Sequence, residues 1–302
     1  RIGTQSTSHR AVLGLRHAVA QHRNIFTHTR QSQCDHRRSL SGYPLYHDDV
    51  FHNSHRSYSE PERPPLIVFP GGGIYFWWQA GAVKALQEMY TLDDLDMTGA
   101  SAGALCAVLA GCNVDMDRAF ELASRLADEN GVWERPQGLM GIWGGMIRQW
   151  LHELLPDDAA RRCSGRVAIS VTALSPAVPP LRRLSVDDFE TKGDVIDACL
   201  ASVHIPFFLD GKATARHRGA RCVDGSLTFA LRRTPWLFKP GDRQAALVVH
   251  QSHDAGLAGD RPGFLETLSL EGFRELYRRG YDHTHAAHAA AALAPGLTCR
   301  AA

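Results

Sequence analysis

Hydrophobic and polar positions alternate in two repeating patterns from residue 66 onwards. The branched, apolar run at 66–69 is followed by glycines and then by small and aromatic residues at helical spacing, which predicts a buried strand, a tight turn and a helix at about 74–90. A short strand near 95–98, a second glycine-flanked turn and an apolar helix come next. Strands that alternate with helices in this way predict an α/β sandwich. Later strand-like runs continue the pattern: GRVAISVTAL, PLRRLSV, RCVDG and AALVVHQ.

The segment 66–86 is apolar enough to suggest a membrane span, because it carries no charged side chain before Lys84. Pro70 and the glycines at 71–73 would, however, break a transmembrane helix in its first third. The same glycines place bare backbone N–H groups at the start of a helix, where negative charge is favoured. We therefore predict no transmembrane helix here, and a turn that stabilises negative charge.

Two further segments show helical periodicity. Residues 115–131 predict an amphipathic surface helix, with Asp115 or Asp117 as its N-cap and Gly131 just after its end. In 139–155 the large apolar side chains fall on one helical face. Packing in the core is the simpler interpretation of that face. Contact with a lipid surface is the alternative, made through Trp143, Met146, Ile147 and Trp150.

The composition is that of a globular protein. With 302 residues and 44% hydrophobic residues the chain can bury one sizeable core. Lys and Arg total 33 against 32 Asp and Glu, so no net charge points to nucleic acid as a partner. The seven cysteines include no CxxC pair, which favours reduced thiols. No His, Cys or carboxylate cluster has metal-ligand spacing, so we expect neither a metal nor a cofactor.

The two ends of the chain differ from the part between them. Residues 1–62 are rich in His, Arg and Ser and predict a disordered or targeting segment. Residues 63–285 contain the alternating elements and are expected to form the catalytic domain, and 286–302 form an Ala-rich C-terminal tail. The sequence leaves open the oligomeric state and the choice between a cytoplasmic and an organellar location.

The stretch GASAG at 99–103 matches the GxSxG nucleophile elbow. It lies between a predicted strand and a predicted helix, as that motif requires. Small residues are needed on both sides because the serine occupies a strained turn where bulky neighbours would clash. Ser101 is therefore the candidate nucleophile, with Gly99 and Gly103 as its support. A serine that merely caps the following helix remains the alternative.

The first glycine turn supplies the second part that acyl transfer from a serine requires, hydrogen-bond donors for an oxyanion. The N–H groups of Gly72 and Gly73, in a turn begun by Gly71, and that of Ala102 are the candidates. The turn does not fit a dinucleotide site, because G-x-G-x-x-G would need glycine where Phe76 stands. A phosphate-binding loop of the GK[ST] type is excluded as well.

A catalytic serine also needs a base. The dipeptide Asp224-Gly225 follows the apolar strand RCV, which would place the Asp224 carboxylate at a strand end. Taken alone, an Asp-Gly dipeptide is most often only a turn. Of the sixteen histidines, His204, His250 and His253 are the ones whose position suits catalysis.

Four sequence pieces, in this order, resemble the patatin-like acyl hydrolases. They are PGGGIYFWWQAGAVKALQE, GASAGAL, ASVHIPFF and DGS, and the resemblance covers roughly residues 66–285. It implies a three-layer α/β sandwich with a mainly parallel central sheet. It also implies a Ser101–Asp224 dyad without a catalytic histidine or a metal, lipid acyl esters as substrates, and peripheral contact with a membrane or lipid droplet.

The chain departs in two respects from the pattern usual in that family. Tyr75 and Phe76 stand where Arg-Gly is common, and Ser226 stands where Gly or Ala is common. Neither departure removes a catalytic atom. The aromatic after the glycines is similar to the adiponutrin-like branch, and the preferred lipid head group stays open.

Two other functions remain. An α/β-hydrolase with a triad of Ser101, Asp224 and His250 or His253 has the right chain order, but its oxyanion loop usually lies further upstream of the serine. In a non-catalytic lipid-binding protein, the glycine turns would serve the fold alone.

Overall fold

The computed structural model describes residues 63–176, 180–228, 243–257, 262–290 and 297–299, so the predicted segment 1–62 lies outside the described residues. Seven strands form one sheet in the described part. They are β1 Leu66–Phe69, β2 Asp96–Ala100, β3 Val167–Leu174, β4 Leu181–Val186, β5 Ala215–His217, β6 Ala220–Val223 and β7 Leu247–Val248. The helices are α1 Phe76–Met89, α2 Ala102–Gly111, α3 Met116–Glu129, α4 Trp143–Leu154, α5 Ala159–Cys163, α6 Lys192–Ser202 and α7 Leu270–Ala289.

The sheet runs in the order β5-β6-β3-β2-β1-β7, with β4 also paired to β3. Strands β3, β2, β1 and β7 are parallel, whereas β4, β5 and β6 pair in antiparallel fashion. Helices cover both faces of the sheet. The predicted α/β sandwich is confirmed, with its parallel part in the four strands that follow the βαβ pattern.

One edge of β3 pairs first with β2 and then, further along, with β6. Ser170 pairs with Ala100 at the end of β2, and two residues further along Thr172 pairs with Val223 at the end of β6. The opposite edge of β3 is taken by β4 along its whole length. The last residues of β2 and β6 therefore meet on the same side of β3, and the residues that follow them, at 101 and 224, are brought together.

The first apolar segment is a strand, a turn and a helix, as predicted. Strand β1 is fully buried, the turn passes through a single 3₁₀ turn at Gly73–Tyr75, and α1 begins at Phe76. No helix in the described ranges is both long and apolar enough to cross the bilayer.

Helix α3 begins and ends where the sequence predicts. The Asp115 side chain accepts hydrogen bonds from the N–H groups of Asp117 and Arg118, so Asp115 is the N-cap. Asp117 instead forms an ion pair with Lys84 of α1, at 2.7 Å. Gly131, with a φ of 58°, follows the helix end in the conformation that favours glycine.

The face of α4 that the sequence offered as a lipid contact is buried within the protein. Met146, Ile147 and Trp150 are each less than a tenth exposed, and the Trp150 indole donates a hydrogen bond to the carbonyl of Ala119 in α3. The lipid contact expected through Met146, Ile147 and Trp150 is therefore wrong, whereas Trp143 is half-buried and packs edge-on against Phe208. Helical periodicity marks an apolar face but does not reveal whether protein or lipid covers it.

Helix α7 packs along α1 through two glycines. A Cβ at Gly81 would lie 1.8 Å from the carbonyl oxygen of Tyr277, and a Cβ at Gly280 would lie 1.8 Å from that of Trp78. The two backbones approach so closely that only glycine fits at either position. The helix continues to Ala289 and so crosses the domain boundary expected at residue 285.

Candidate active site

Ser101 occupies the sharp turn between β2 and α2. Its backbone has φ 53° and ψ −128°, a conformation that costs a non-glycine residue roughly 1–3 kcal/mol. A Cβ at Gly99 would lie 2.2 Å from the carbonyl oxygen of Gly103, and one at Gly103 would lie 1.9 Å from that of Phe69. The GxSxG spacing is thus required because strand, turn and helix leave no room for side chains beside the serine.

A second serine holds this turn in place. The N–H of Ser101 donates to the Ser202 Oγ at 2.9 Å, and the Ser202 hydroxyl donates to the carbonyl of Ser170 at 2.7 Å. Ser202 lies at the end of α6 and is fully buried. No role for Ser202 was predicted from the sequence, although it lies in ASVHIPFF, one of the four pieces that resemble the patatin-like acyl hydrolases.

Asp224 contacts Ser101 directly. The Ser101 Oγ donates to the Asp224 Oδ2 at 2.6 Å, and the N–H of Ser226 donates to the Oδ1 at 2.8 Å. The chain around the carboxylate is fixed by backbone bonds, from the N–H of Asp224 to the carbonyl of His204 and from the N–H of Gly225 to that of Ser202. The structure therefore brings together the two residues that the sequence proposed as nucleophile and base.

Burial raises the pKa of Asp224 above its ordinary value. The hydrogen bonds from Ser101 and Ser226 favour the ionised form and oppose part of this effect. A carboxylate with a raised pKa binds a proton more tightly than an exposed one does. Asp224 is in this respect suited to accept a proton from a hydroxyl and to return it.

The first glycine turn lies beside Ser101. A Cβ at Gly71 would lie 3.2 Å from the Ser101 Cβ, so this glycine is in contact range of the serine. Within the described residues, the N–H groups of Gly72, Gly73 and Ala102 meet no hydrogen-bond acceptor. The arrangement leaves backbone donors of two turns unpaired next to one hydroxyl.

Gln79 of α1 holds the start of this turn. Its side chain is fully buried, and its Nε2 donates to the carbonyls of Pro70 at 2.8 Å and Val249 at 3.0 Å. One amide thereby links the end of β1 to the end of β7. No motif predicts this role, because a single glutamine in an apolar helix carries no recognisable pattern.

The three candidate histidines lie in different environments. His204 is buried, and its Nε2 is 3.2 Å from the carbonyl oxygen of Lys212. The His250 Nδ1 is 2.6 Å from the Ser252 Oγ, and the His253 side chain is exposed. The direct contact between Ser101 and Asp224 leaves no place for an imidazole between them.

An apolar pocket begins at the glycine turn and extends between α2, α3, α4 and α7. Leu105, one turn after Ser101 in α2, lies in its wall together with Gly73 and Ile74. An apolar pocket of this kind suits an aliphatic chain. Aromatic and methionine side chains form much of the remaining wall: Phe76, Trp77, Trp143, Met146, Trp150, Phe208, Phe264 and Phe273.

The described ranges contain no group of three or more His, Cys, Asp or Glu side chains that would hold a metal ion. The six cysteines in those ranges are free thiols, and five of them are buried.

Comparison with known proteins identifies a family and several relatives. Residues 67–232, more than half of the chain, match the family model described as patatin-like phospholipase. Human omega-hydroxyceramide transacylase is 30% identical over 178 residues, covering 56% of this chain and 32% of that protein. Mouse 1-acylglycerol-3-phosphate O-acyltransferase Pnpla3 is 32% identical over 175 residues, covering 56% of this chain and 41% of that protein. The match thus covers less than half the length of either relative.

Among solved structures, the type III effector protein ExoU aligns with a TM-score of 0.31 and 16% identity, covering 75% of this chain and 53% of that chain. A similarity of this size carries no argument about the chemistry.

Proposed function

The chain belongs to the patatin-like phospholipase family, and from this premise we propose that it is a serine acyl hydrolase that cleaves fatty-acyl esters of glycerolipids. The observation that carries the proposal is the direct 2.6 Å contact between the Ser101 Oγ and the Asp224 Oδ2. A hydrogen bond of that length is what proton transfer from a nucleophile to a general base requires.

The proposed reaction has two halves. Asp224 accepts the proton of Ser101 as the Oγ attacks the ester carbonyl, and it then passes this proton to the departing alcohol. In the second half, water attacks the acyl-enzyme and gives its proton to Asp224, which returns a proton to the Ser101 Oγ as the Oγ–acyl bond breaks and the fatty acid leaves. The N–H groups of Gly72, Gly73 and Ala102 stabilise the oxyanion in both halves. No metal takes part.

The apolar pocket supports a fatty-acyl substrate. It reaches the glycine turn at Gly73 and Ile74, and burial of each methylene group is worth about 0.8 kcal/mol. A chain held there would present its carbonyl carbon near Ser101. Water is the acyl acceptor in this proposal, whereas the names of the two relatives describe transfer to other acceptors.

A fluorophosphonate probe tests the proposal. We expect the probe to label Ser101 of the wild-type protein, with EDTA present or absent, and to leave Ser101→Ala unlabelled. Mass spectrometry of the labelled peptide identifies the site. Absence of labelling and of ester hydrolysis in a folded sample would instead favour a non-catalytic lipid-binding protein. Product analysis with phospholipid and triacylglycerol, each with and without a lysophospholipid acceptor, separates hydrolysis from transfer.

We propose that the rim of the apolar pocket contacts the lipid surface that supplies the substrate. Three apolar side chains in the pocket wall or next to it in the chain are exposed: Phe264 in the wall by 44%, Met140 beside Leu139 by 40%, and Phe207 beside Phe208 by 63%. The loops of Met140 and Phe207 are joined by hydrogen bonds, from the N–H of Gly141 to the carbonyl of Phe208 and from that of Gly144 to Leu209. Phe207 is held outward with a φ of 65°, a strained conformation for an aromatic residue.

The double variant Met140→Ser/Phe207→Ser tests this surface. We expect roughly tenfold lower activity on phospholipid vesicles, because about 1.5 kcal/mol of apolar burial in the interface is lost. Activity on a soluble short-chain ester should be unchanged. Leu174→Ser is the matched control, since Leu174 is 37% exposed but neither it nor its neighbours in the chain line the pocket. Equal losses on both substrates would contradict the proposal.

A further inference from the structure

The hydroxyl of Ser226 has no partner in the described part of the chain, although its oxygen is inaccessible to solvent. A buried hydroxyl without a hydrogen bond lowers the stability of a fold, and such groups are rare. Several other buried polar atoms of the described chain also have no partner, so the position of the Ser226 hydroxyl decides what it can do.

This hydroxyl lies where the parts of the active site meet. The Ser226 Oγ is 2.0 Å from the point at which a Gly71 Cβ would stand, and the Ser101 Cβ is 3.2 Å from that same point. The backbone N–H of Ser226 meanwhile donates to the Asp224 carboxylate at 2.8 Å. One residue thus contacts the base through its backbone and the glycine turn through its side chain.

We propose that the Ser226 hydroxyl donates a hydrogen bond to the oxyanion formed when Ser101 attacks an ester, and so adds a side-chain donor to those of the glycine turn. This inference rests on the proposed function. The hydroxyl is unpaired in the resting site and paired in the transition state, so its hydrogen bond stabilises the transition state selectively. No bond to Ser226 is made or broken.

The competing partner is the nearby carboxylate of Asp224, because a hydrogen bond from the Ser226 hydroxyl would favour its ionised form and oppose the rise in its pKa that burial causes. Both carboxylate oxygens already accept a hydrogen bond, the Oδ2 from Ser101 and the Oδ1 from the Ser226 N–H. The two roles differ in their kinetic consequences. A donor to the oxyanion raises kcat at every pH, whereas a donor to Asp224 shifts the pH at which the base becomes active.

Ser226→Ala is the decisive variant, because it deletes the hydroxyl and adds no atom. We expect kcat on a short-chain p-nitrophenyl ester to fall by about 10²–10³, the range found when one oxyanion donor is removed. KM and the acid limb of the pH profile should be unchanged. Tm should not decrease, because the variant removes a buried hydroxyl that has no hydrogen bond to lose. Ser226→Gly should behave in the same way.

Thr284→Val is the matched control. The Thr284 hydroxyl is also buried, but it belongs to α7 and donates to the carbonyl of Gly280. Its loss should leave kcat unchanged.

Two outcomes would overturn the inference. Folded Ser226→Ala could have the kcat of the wild type at every pH, or its kcat could reach the wild-type plateau but with the acid limb of the pH profile at higher pH. Failure of the proposed function looks different, since the wild-type protein itself would then neither react with the probe nor hydrolyse the ester.

Discussion

Asp224→Asn is expected to abolish turnover as fully as Ser101→Ala while leaving the protein at least as stable as the wild type. The amide cannot accept the serine proton, yet it can keep both contacts of the carboxylate, accepting from the Ser226 N–H and donating to the Ser101 Oγ. Single-turnover kinetics on a soluble ester, together with thermal unfolding of each variant, measures both effects.

The sign of the stability change follows from the raised pKa of Asp224. Because the folded-state pKa lies above the unfolded-state value, the stability gained from protonated Asp224 is present at low pH and is lost as the pH rises through the folded-state pKa. The Asn variant has no such loss. Its Tm relative to the wild type should therefore increase over that pH range and then become constant.

Histidine variants provide the control for this prediction. His250→Ala and His253→Ala should each retain most of the hydrolysis rate, because the base contacts the serine directly. His204→Ala should lower Tm, since the ring is buried and bonded to the carbonyl of Lys212. A folded His250 or His253 variant as inactive as Ser101→Ala would indicate a triad, and an active Asp224→Asn would exclude the dyad.

The same substitution, glycine to alanine, is expected to have opposite effects at two helical positions. Gly280→Ala should destabilise the protein by about 1–3 kcal/mol, because its Cβ would lie 1.8 Å from the Trp78 carbonyl oxygen and α7 must move away from α1. Gly145→Ala in α4 should stabilise it by about 0.5–1 kcal/mol, since nothing lies within 4 Å of the new Cβ. Denaturant unfolding measures both free energies.

Gly81→Ala, on the other side of the same contact, provides a second variant of the first kind. Its Cβ would lie 1.8 Å from the Tyr277 carbonyl oxygen. The Gly81→Ala/Gly280→Ala double variant should lose less than the sum of the two, because one separation of the helices relieves both clashes. A neutral effect at Gly280 would show that α7 does not depend on this close approach.

The elements that the sequence predicts best are those whose signals are local. A strand, a glycine turn and a helix within 66–111 follow from spacing alone, because the steric reason for each glycine lies within the same few elements. The partners of Ser202 and Gln79 are carbonyls far away in the chain, and no pattern in the sequence encodes such contacts. The contact of Ser101 with Asp224, 123 residues later, was accessible only through the resemblance to a family.

The contact between Ser101 and Asp224 depends on strand register, because β2 and β6 pair with the same side of β3. Strand β6 is tied to β3 by just two residue pairs, Thr172 with Val223 and Ala173 with Cys222. A slip of one residue would displace Asp224 by about 3.3 Å and turn its side chain to the other face of the sheet. Substitutions at Cys222 or Val223 that weaken this short pairing are thus expected to impair catalysis while the core remains folded, so that loss of activity does not by itself identify a residue that touches substrate.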